Sequence, residues 1–389
     1  MPVFIENQPY ELFYDFSSHI YEERCCLLAF DKSVIITQNV IDKQYIVSLN
    51  KLGLCTDTSF LSLGNGYNDL TEAVLNNISK IKSFLETSKH DGILFAFIPD
   101  QTMLVIAEML GLQLIGSTLY CNFYRKQDLI KLSKTVNLPI ISSQVVNETN
   151  ISRLFKKGEE NIIKADDTTS GTGVKSFSNQ DDAINFLKTY NHDCIFYIQP
   201  KLNPQKEGSI QFVKTKQRVD IFICETMNEN NSYFGFEYPF RISSSLVKQL
   251  NSYACNLYET LIEKMGFSYE MLGIDFIIAD NNIFFHDLNP RKTAVNIVIK
   301  FVKGVIREFT AEKTEIISRY YNCHDLHNYT QIHNMIEEFN IPLLSIDGEG
   351  VFVCNPSFLQ IGKIQVISVS NTNRAKEYLT CFEHKVLCI

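Results

Sequence analysis

Gly273-Ile274-Asp275-Phe276-Ile277-Ile278-Ala279-Asp280-Asn281-Asn282-Ile283-Phe284-Phe285-His286-Asp287-Leu288-Asn289-Pro290-Arg291 has the pattern of a β-hairpin, two apolar runs flanking a polar Asp-Asn-Asn turn. A three-residue loop centred on Asn281 sets Asp275 directly across from Asp287, and directly opposed residues share a face. Asn289, two positions beyond Asp287, points the same way by the strand period of two, whereas His286 alternates to the other face and reads as structural. Two carboxylates and an amide oxygen then converge on one spot. Like charges so placed repel, and a hard divalent cation with oxygen ligands relieves them, in particular Mg²⁺ carrying a nucleotide's phosphates. The competing reading is ordinary surface carboxylates, since Asp and Asn are frequent at turns and strand ends.

Upstream of the hairpin lie groups that suit anionic oxygens. Asn161-Ile162-Ile163-Lys164 reads as a short strand, followed by Ala165-Asp166-Asp167-Thr168-Thr169-Ser170-Gly171-Thr172-Gly173. Small hydroxyl residues and two glycines let backbone N–H groups approach phosphate oxygens closely, while Lys164 supplies a point charge. This is not a Walker A loop, whose lysine follows the glycines. A plain surface loop is the alternative. Arg125-Lys126-Gln127-Asp128 opens an amphipathic helix that reaches Lys134 and stops before Pro139. The strand 194–198 runs into Gln199-Pro200-Lys201-Leu202, where main-chain groups can read a purine edge although Pro200 lacks a donor. Apolar runs at 209–213 and 219–224 suggest an antiparallel sheet. Arg241 ends an aromatic run as an exposed arginine, and the serines at 243–245 cap a helix with Leu246, Leu250, Ala254, Leu257 and Leu261 on one face.

The flanks read more plainly. Residues 92–115 give strand, helix, strand, the signature of an open α/β layer, and residues after 316 form a small α/β cap. His324, His327 and His333 offer a His-x-x-His spacing without a third ligand and read as solvent-facing. At 389 residues the chain calls for two or three domains, with boundaries expected near 120 and 315. Net charge of −8 argues against nucleic acid, and no apolar run reaches bilayer length. Glu6, Glu11 and Asp15 replace the basic start of a signal peptide, and eleven scattered cysteines without CxxC spacing fit a reduced, cytoplasmic protein.

Taken in order, Lys126, Lys164 with its Thr-Ser-Gly-Thr-Gly loop, the 199–202 segment, Gly273-Ile274-Asp275-Phe276 and Asp287-Leu288-Asn289-Pro290-Arg291 resemble the ATP-grasp superfamily over roughly residues 120 to 310. Within it, Leu288-Asn289-Pro290-Arg291-Lys292-Thr293 and Gly362-Lys363-Ile364-Gln365-Val366-Ile367 are most similar to pheganomycin-type peptide ligases. The resemblance implies an ATP-grasp fold of α/β (α+β) class: a pre-ATP-grasp domain at 1–120, the ATP-grasp domain at 121–315 and a cap at 316–389. It implies ATP, with Lys126 and Lys164 on the α and β phosphates and Thr169, Ser170, Gly171, Thr172 and Gly173 closing over the triphosphate. Arg125 and Lys131 remain alternatives to Lys126. Gln199, Lys201 and Leu202 would lie at adenine and Glu207 at the ribose. Asp275, Asp287 and Asn289 would carry two Mg²⁺ ions, or Mn²⁺, with Asp287 standing where many relatives have Glu. Arg291, with Arg241 as helper, would steady the transferred phosphoryl group. The implied reaction joins a small-molecule or peptide carboxylate to an amine through an acyl phosphate. A carboxylase, a phosphotransferase and a non-catalytic nucleotide-binding module are the alternatives, and a homodimer is left open.

Overall fold

A computed structural model describes residues 1–7, 18–30, 32–166, 173–189, 194–214, 218–229, 232–264, 271–323 and 325–388. Five parallel strands come first: β1 (Val3–Ile5), β2 (Val34–Thr37), β3 (Ser59–Ser62), β4 (Ile93–Ala96) and β5 (Gln113–Leu114), in the order β3-β2-β1-β4-β5. Val34, Ile35 and Ile36 are buried in succession because helices cover both faces of a parallel sheet. The expected strand–helix–strand unit is present. Asp100 caps its helix (Gln101–Leu110) by accepting from the Met103 amide, and left-handed Gly111 ends it.

A second, antiparallel sheet of β6 (Gln144–Val146), β7 (Asn161–Ala165), β8 (Val174–Phe177) and β9 (Phe196–Pro200) has the order β6-β9-β7-β8. Ile163, Phe177, Leu187 and Phe196 form its own small core.

The third sheet holds eight strands: β10 (Lys206–Lys214), β11 (Val219–Glu229), β12 (Ser232–Tyr238), β13 (Met271–Ala279), β14 (Asn282–Asn289), β15 (Glu315–Asn322), β16 (Gly350–Cys354) and β17 (Lys363–Ser370). Their order is β14-β13-β10-β11-β12-β15-β17-β16. The stretch read as a cap therefore adds its strands to the central sheet, β12 pairing directly with β15. Helix 244–259, capped by Ser243, lays Leu250, Ala254 and Leu257 against Ile274, Phe276 and Phe285 of the hairpin. Helix 294–305, closed by a Thr293–Asn296 capping box, joins the core shared by the N-terminal and C-terminal parts. No helix among the described residues is long and apolar enough to cross a membrane.

The β13–β14 hairpin departs from its sequence reading in an instructive way. Its turn is two residues, Asp280 and Asn281, both at positive φ (50° and 59°), the conformation that Asp and Asn tolerate. From that turn alone Asp275 would face His286. A bulge follows the Phe276–Phe285 pair and restores the pairing of Asp275 with Asp287, so the expected partners meet for a different reason.

Candidate functional site

Asp275 lies in the middle of β13, where burial and the facing Asp287 push its carboxyl up to about 7. Opposing contributions come from Ser209 and from Asn289. Ser209 Oγ donates to Asp275 Oδ1 at 2.5 Å, and Asn289 Nδ2 donates to Oδ2 at 3.0 Å. Ser209 is itself held. Gln211 Nε2 donates to its hydroxyl at 2.5 Å, and Thr293 Oγ1 donates to Gln211 Oε1 at 2.8 Å. Gly273 makes room for this relay, since a Cβ there would stand 2.9 Å from both ends of the Gln211 amide. Thus β10 and the start of helix 294–305 fix one carboxylate of the hairpin.

The donor set fits a magnesium ion. Two facing carboxylates and an amide, all oxygen donors, are raised in energy by one another until a cation neutralises them. Among the described residues no group of three or more His, Cys, Asp or Glu converges. A cation held here would complete its shell with phosphate and water oxygens, which is the habit of Mg²⁺. Asn289 Oδ1 also accepts from Arg291 at 3.3 Å and has a second lone pair to offer.

The lysines arrive from other elements. Asp166, at the end of β7, accepts the amide of Gln127 through its side chain and that of Lys126 through its carbonyl. This clamp sets the start of helix 126–136 beside β7. Lys126 Nζ then stands 4.0 Å from Asp287, whereas Lys131 pairs with Asp128 in solvent and Arg125 is exposed beside Tyr124. Lys164 is pulled down to about 8, first by burial; Lys126 adds to the shift and Asp287 and Asp275 oppose it. Both lysines line a cavity whose other walls include Leu129, Ile130, Ile140, Ile141, Tyr197 and Gln199.

Gln199 is buried and accepts from Ser143. Lys201 turns to Glu160, its Nζ 2.9 Å from the carboxylate, and Leu202 is half-buried just beyond β9. Glu207, on the same face of β10 as Ser209, accepts from Asn228. Thr169, Ser170, Gly171 and Thr172 lie outside the described residues; Gly173 is left-handed, and its carbonyl accepts the Ala165 amide. Arg241 pairs with Glu315 and is mostly exposed, so the structure does not bring it to the carboxylates.

Arg291 is 9% exposed, and desolvation lowers its pKa below the usual value. One guanidinium nitrogen donates to the Lys292 carbonyl at 2.9 Å and the group lies 5.0 Å from the Phe97 ring centre. Phe97 also carries Arg24 at 4.3 Å, and Asn7 fixes the Phe97–Ile98 backbone through three hydrogen bonds. Behind Arg291, Lys292 meets Glu6. Sequence reasoning missed Ser209, Gln211, Arg24 and Glu6 because each is linked to the site only through tertiary pairing.

Two histidine readings are corrected. The bulge gives β14 one extra residue, so simple alternation fails at His286. It lines the lysine cavity instead of the apolar core. Its imidazole is pushed down to about 3 by burial and then by Lys164. His333 is 5% exposed, packed near Tyr329 and facing Glu337, rather than turned to solvent. His324 lies outside the described residues.

Residues 126–295 match the family model described as an ATP-grasp domain. No curated protein matches the chain. Solved structures follow it over nearly its whole length at low identity. Biotin carboxylase from Campylobacter jejuni, in a β-γ-ATP complex, superposes with a TM-score of 0.65 at 11% identity, covering 99% of this chain and 90% of that one. N5-carboxyaminoimidazole ribonucleotide synthetase from Thermus thermophilus gives 0.63 at 12%, covering 99% and 98%. The biotin carboxylase domain of 2-oxoglutarate carboxylase from Hydrogenobacter thermophilus, solved with MgADP and bicarbonate, gives 0.62 at 12%, covering 97% and 89%. Residues 126–295 are thus similar to an ATP-grasp domain, and the chain as a whole has the ATP-grasp fold.

Proposed function

We propose that the protein is an ATP-dependent carboxylate–amine ligase that forms an amide or peptide bond through an acyl phosphate and releases ADP and phosphate. The observation that carries this is the convergence of Asp275, Asp287, Asn289, Lys126 and Lys164, with Arg291 buried one step beyond. The lysines hold the α and β phosphates, and residues 169–173 close over the triphosphate. Bound Mg²⁺ supplies charge neutralisation on the phosphate oxygens. Arg291 neutralises charge on the transferred group and aligns the substrate carboxylate with it. A carboxylate oxygen bonds to the γ-phosphorus as the bridging P–O bond of ATP breaks, and ADP leaves. The amine nitrogen then attacks the acyl carbon, the C–O bond to phosphate breaks, and the amine proton goes to solvent.

An amino acid or short peptide as substrate rests on the likeness of 288–293 and 362–367 to pheganomycin-type peptide ligases. Eleven free thiols support work in the reducing cytoplasm. A second reading, carboxylation with bicarbonate as phosphoryl acceptor, is favoured by the whole-length match to biotin carboxylases, one solved with bicarbonate. Incubation with Mg-ATP and a matrix of amino acids and peptides, or with bicarbonate, separates them. ADP, phosphate and a condensation product are expected from the matrix. Bicarbonate-dependent phosphate release alone would favour the second reading, and AMP with pyrophosphate would exclude an acyl phosphate. Asp287→Ala and Lys164→Ala are each expected to abolish turnover in a folded protein.

A further inference from the structure

We infer that the carboxylate substrate carries an aromatic side chain, which lies against Tyr233 and Tyr320 while its acid group meets Arg291. This rests on the ligase reading above and names the substrate class for it.

Three parts of the chain bring the rings together. Tyr233, on β12, pairs directly with Asn228, and Asn228 donates to Glu207, which shares a face of β10 with Ser209. Tyr233 therefore stands on the same face of the central sheet as Asp275. Its ring centre is 6.1 Å from that of Tyr320 on β15, and Tyr320 lies 5.6 Å from Phe358 of the short helical turn Pro356–Ile361. Phe358 meets Tyr21 edge-on at 5.0 Å, and the Arg24 guanidinium lies over Tyr21 at 4.5 Å. Arg24 shares the Phe97 ring with Arg291, so a line of contacts runs from Tyr233 back to Arg291.

Electrostatic neighbours close that line into a loop. Desolvation raises the Tyr233 phenol, with Tyr320, Cys224 and Asp275 adding to the shift, and burial raises that of Tyr320 while Arg24 opposes it. Tyr233 thus reaches towards Asp275, and Tyr320 towards Arg24. The rings are not ordinary core. Phe236 and Ser318, on the same strands, are fully buried, whereas Tyr233 is 39% exposed and Tyr320 and Tyr21 are half-buried. The hydroxyls of Tyr233 and Tyr320 make no hydrogen bond with another described residue. Open ring faces take a flat ring by stacking or edge contact, and the two phenols offer donors and acceptors at its rim. At the other end, guanidinium groups select an acid. A cationic side chain would meet Arg24, and an aliphatic one would use the ring faces poorly.

The protein contains no tryptophan, so the fluorescence anisotropy of a tryptophan ligand reports binding directly. L-Tryptophan and glycyl-L-tryptophan are titrated with the full chain, Mg²⁺ and a non-hydrolysable ATP analogue, with L-phenylalanine, L-leucine and L-lysine as competitors. Leucine is expected to compete about tenfold more weakly than phenylalanine, and lysine more weakly still. Tyr233→Ala should weaken tryptophan binding about 5- to 20-fold and Tyr320→Phe by less than about threefold, with ADP affinity unchanged in both. Circular dichroism checks folding, and Tyr233→Ser takes the place of an Ala variant that fails to fold. Equal competition by leucine or lysine overturns the inference, as does undiminished binding by the Tyr233 variant. Condensation of a non-aromatic acid by a protein that binds no aromatic one overturns it too, and leaves the ligase reading standing. Aromatic binding that depends on Tyr233, with no condensation product from any acid, upholds the site and overturns the ligase reading instead.

Discussion

Lys292 and Glu6, 286 positions apart in the chain, meet as a buried ion pair with Nζ 2.6 Å from Oε2. Arg24 Nε approaches the other oxygen of Glu6 at 3.4 Å. The residue after Arg291 is thereby tied to the N-terminal sheet, so the arginine's position depends on a strand far from the hairpin. Removing one partner of a buried pair leaves the other charged and desolvated, at a cost of about 3–5 kcal/mol. Glu6→Gln is expected to lose stability of that order in urea denaturation, whereas a combined Glu6→Leu, Lys292→Met variant should recover much of it. Equal stability of Glu6→Gln and wild type would show that the pair is not a brace.

Nucleotide affinity should depend on pH through Lys164. Its pKa of about 8 means that the ammonium is lost as pH rises through that value. Phosphate binding favours the charged form, so the affinity is full below 8 and weakens above it by up to about tenfold per pH unit. Lys164→Arg keeps its charge and should flatten the profile. Parallel profiles for the two proteins in ADP titrations between about pH 7 and 9.5 would remove Lys164 from the phosphates.

Gly273→Ala tests the relay from Thr293 to Asp275. A methyl group 2.9 Å from the Gln211 amide forces that side chain to move, and it is buried and hydrogen-bonded at both ends. Ser209 then loses its orientation toward Asp275. Expected is a rise in the Mg²⁺ concentration needed for half-maximal phosphate release, by about tenfold, the cost of one misplaced hydrogen bond to a charged group. An unchanged Mg²⁺ dependence would mean that the relay does not orient the carboxylate.

Glu22 gives the nucleotide-free protein a pH-dependent stability. Burial pushes its carboxyl up to about 8, although the Gln38 amide donates to it at 2.6 Å. A carboxyl raised on folding contributes stability that is present below its unfolded pKa, about 4.3, and is lost as pH rises through 8. The melting temperature should therefore fall between about pH 5 and 8. Glu22→Gln, an isostere of the protonated acid, should fall less over the same range; identical slopes would rule the group out.

Much of the fold was legible because its signals are local. Alternation along 273–291, the Asp100 cap with Gly111, and the apolar face of helix 244–259 each follow from spacing of a few residues. The register was legible only by luck of arithmetic, since a two-residue turn plus a bulge lands Asp275 on the same partner as a three-residue loop. That bulge is also why His286 was misread: alternation holds only in an unbroken ladder. Glu6, Arg24 and Ser209 carry no pattern at all, and their relevance appears only when distant strands pair.

The match to the ATP-grasp domain ends at residue 295, yet β12 continues sideways into β15, and helix 294–305 has barely begun. A fragment cut at those limits would lose a helix that fills the common core and would bare a row of backbone donors and acceptors along β12. Such an edge pairs with the next chain it meets. The sequence limit of the match, residue 295, is therefore not a limit of the sheet, which runs on through β15.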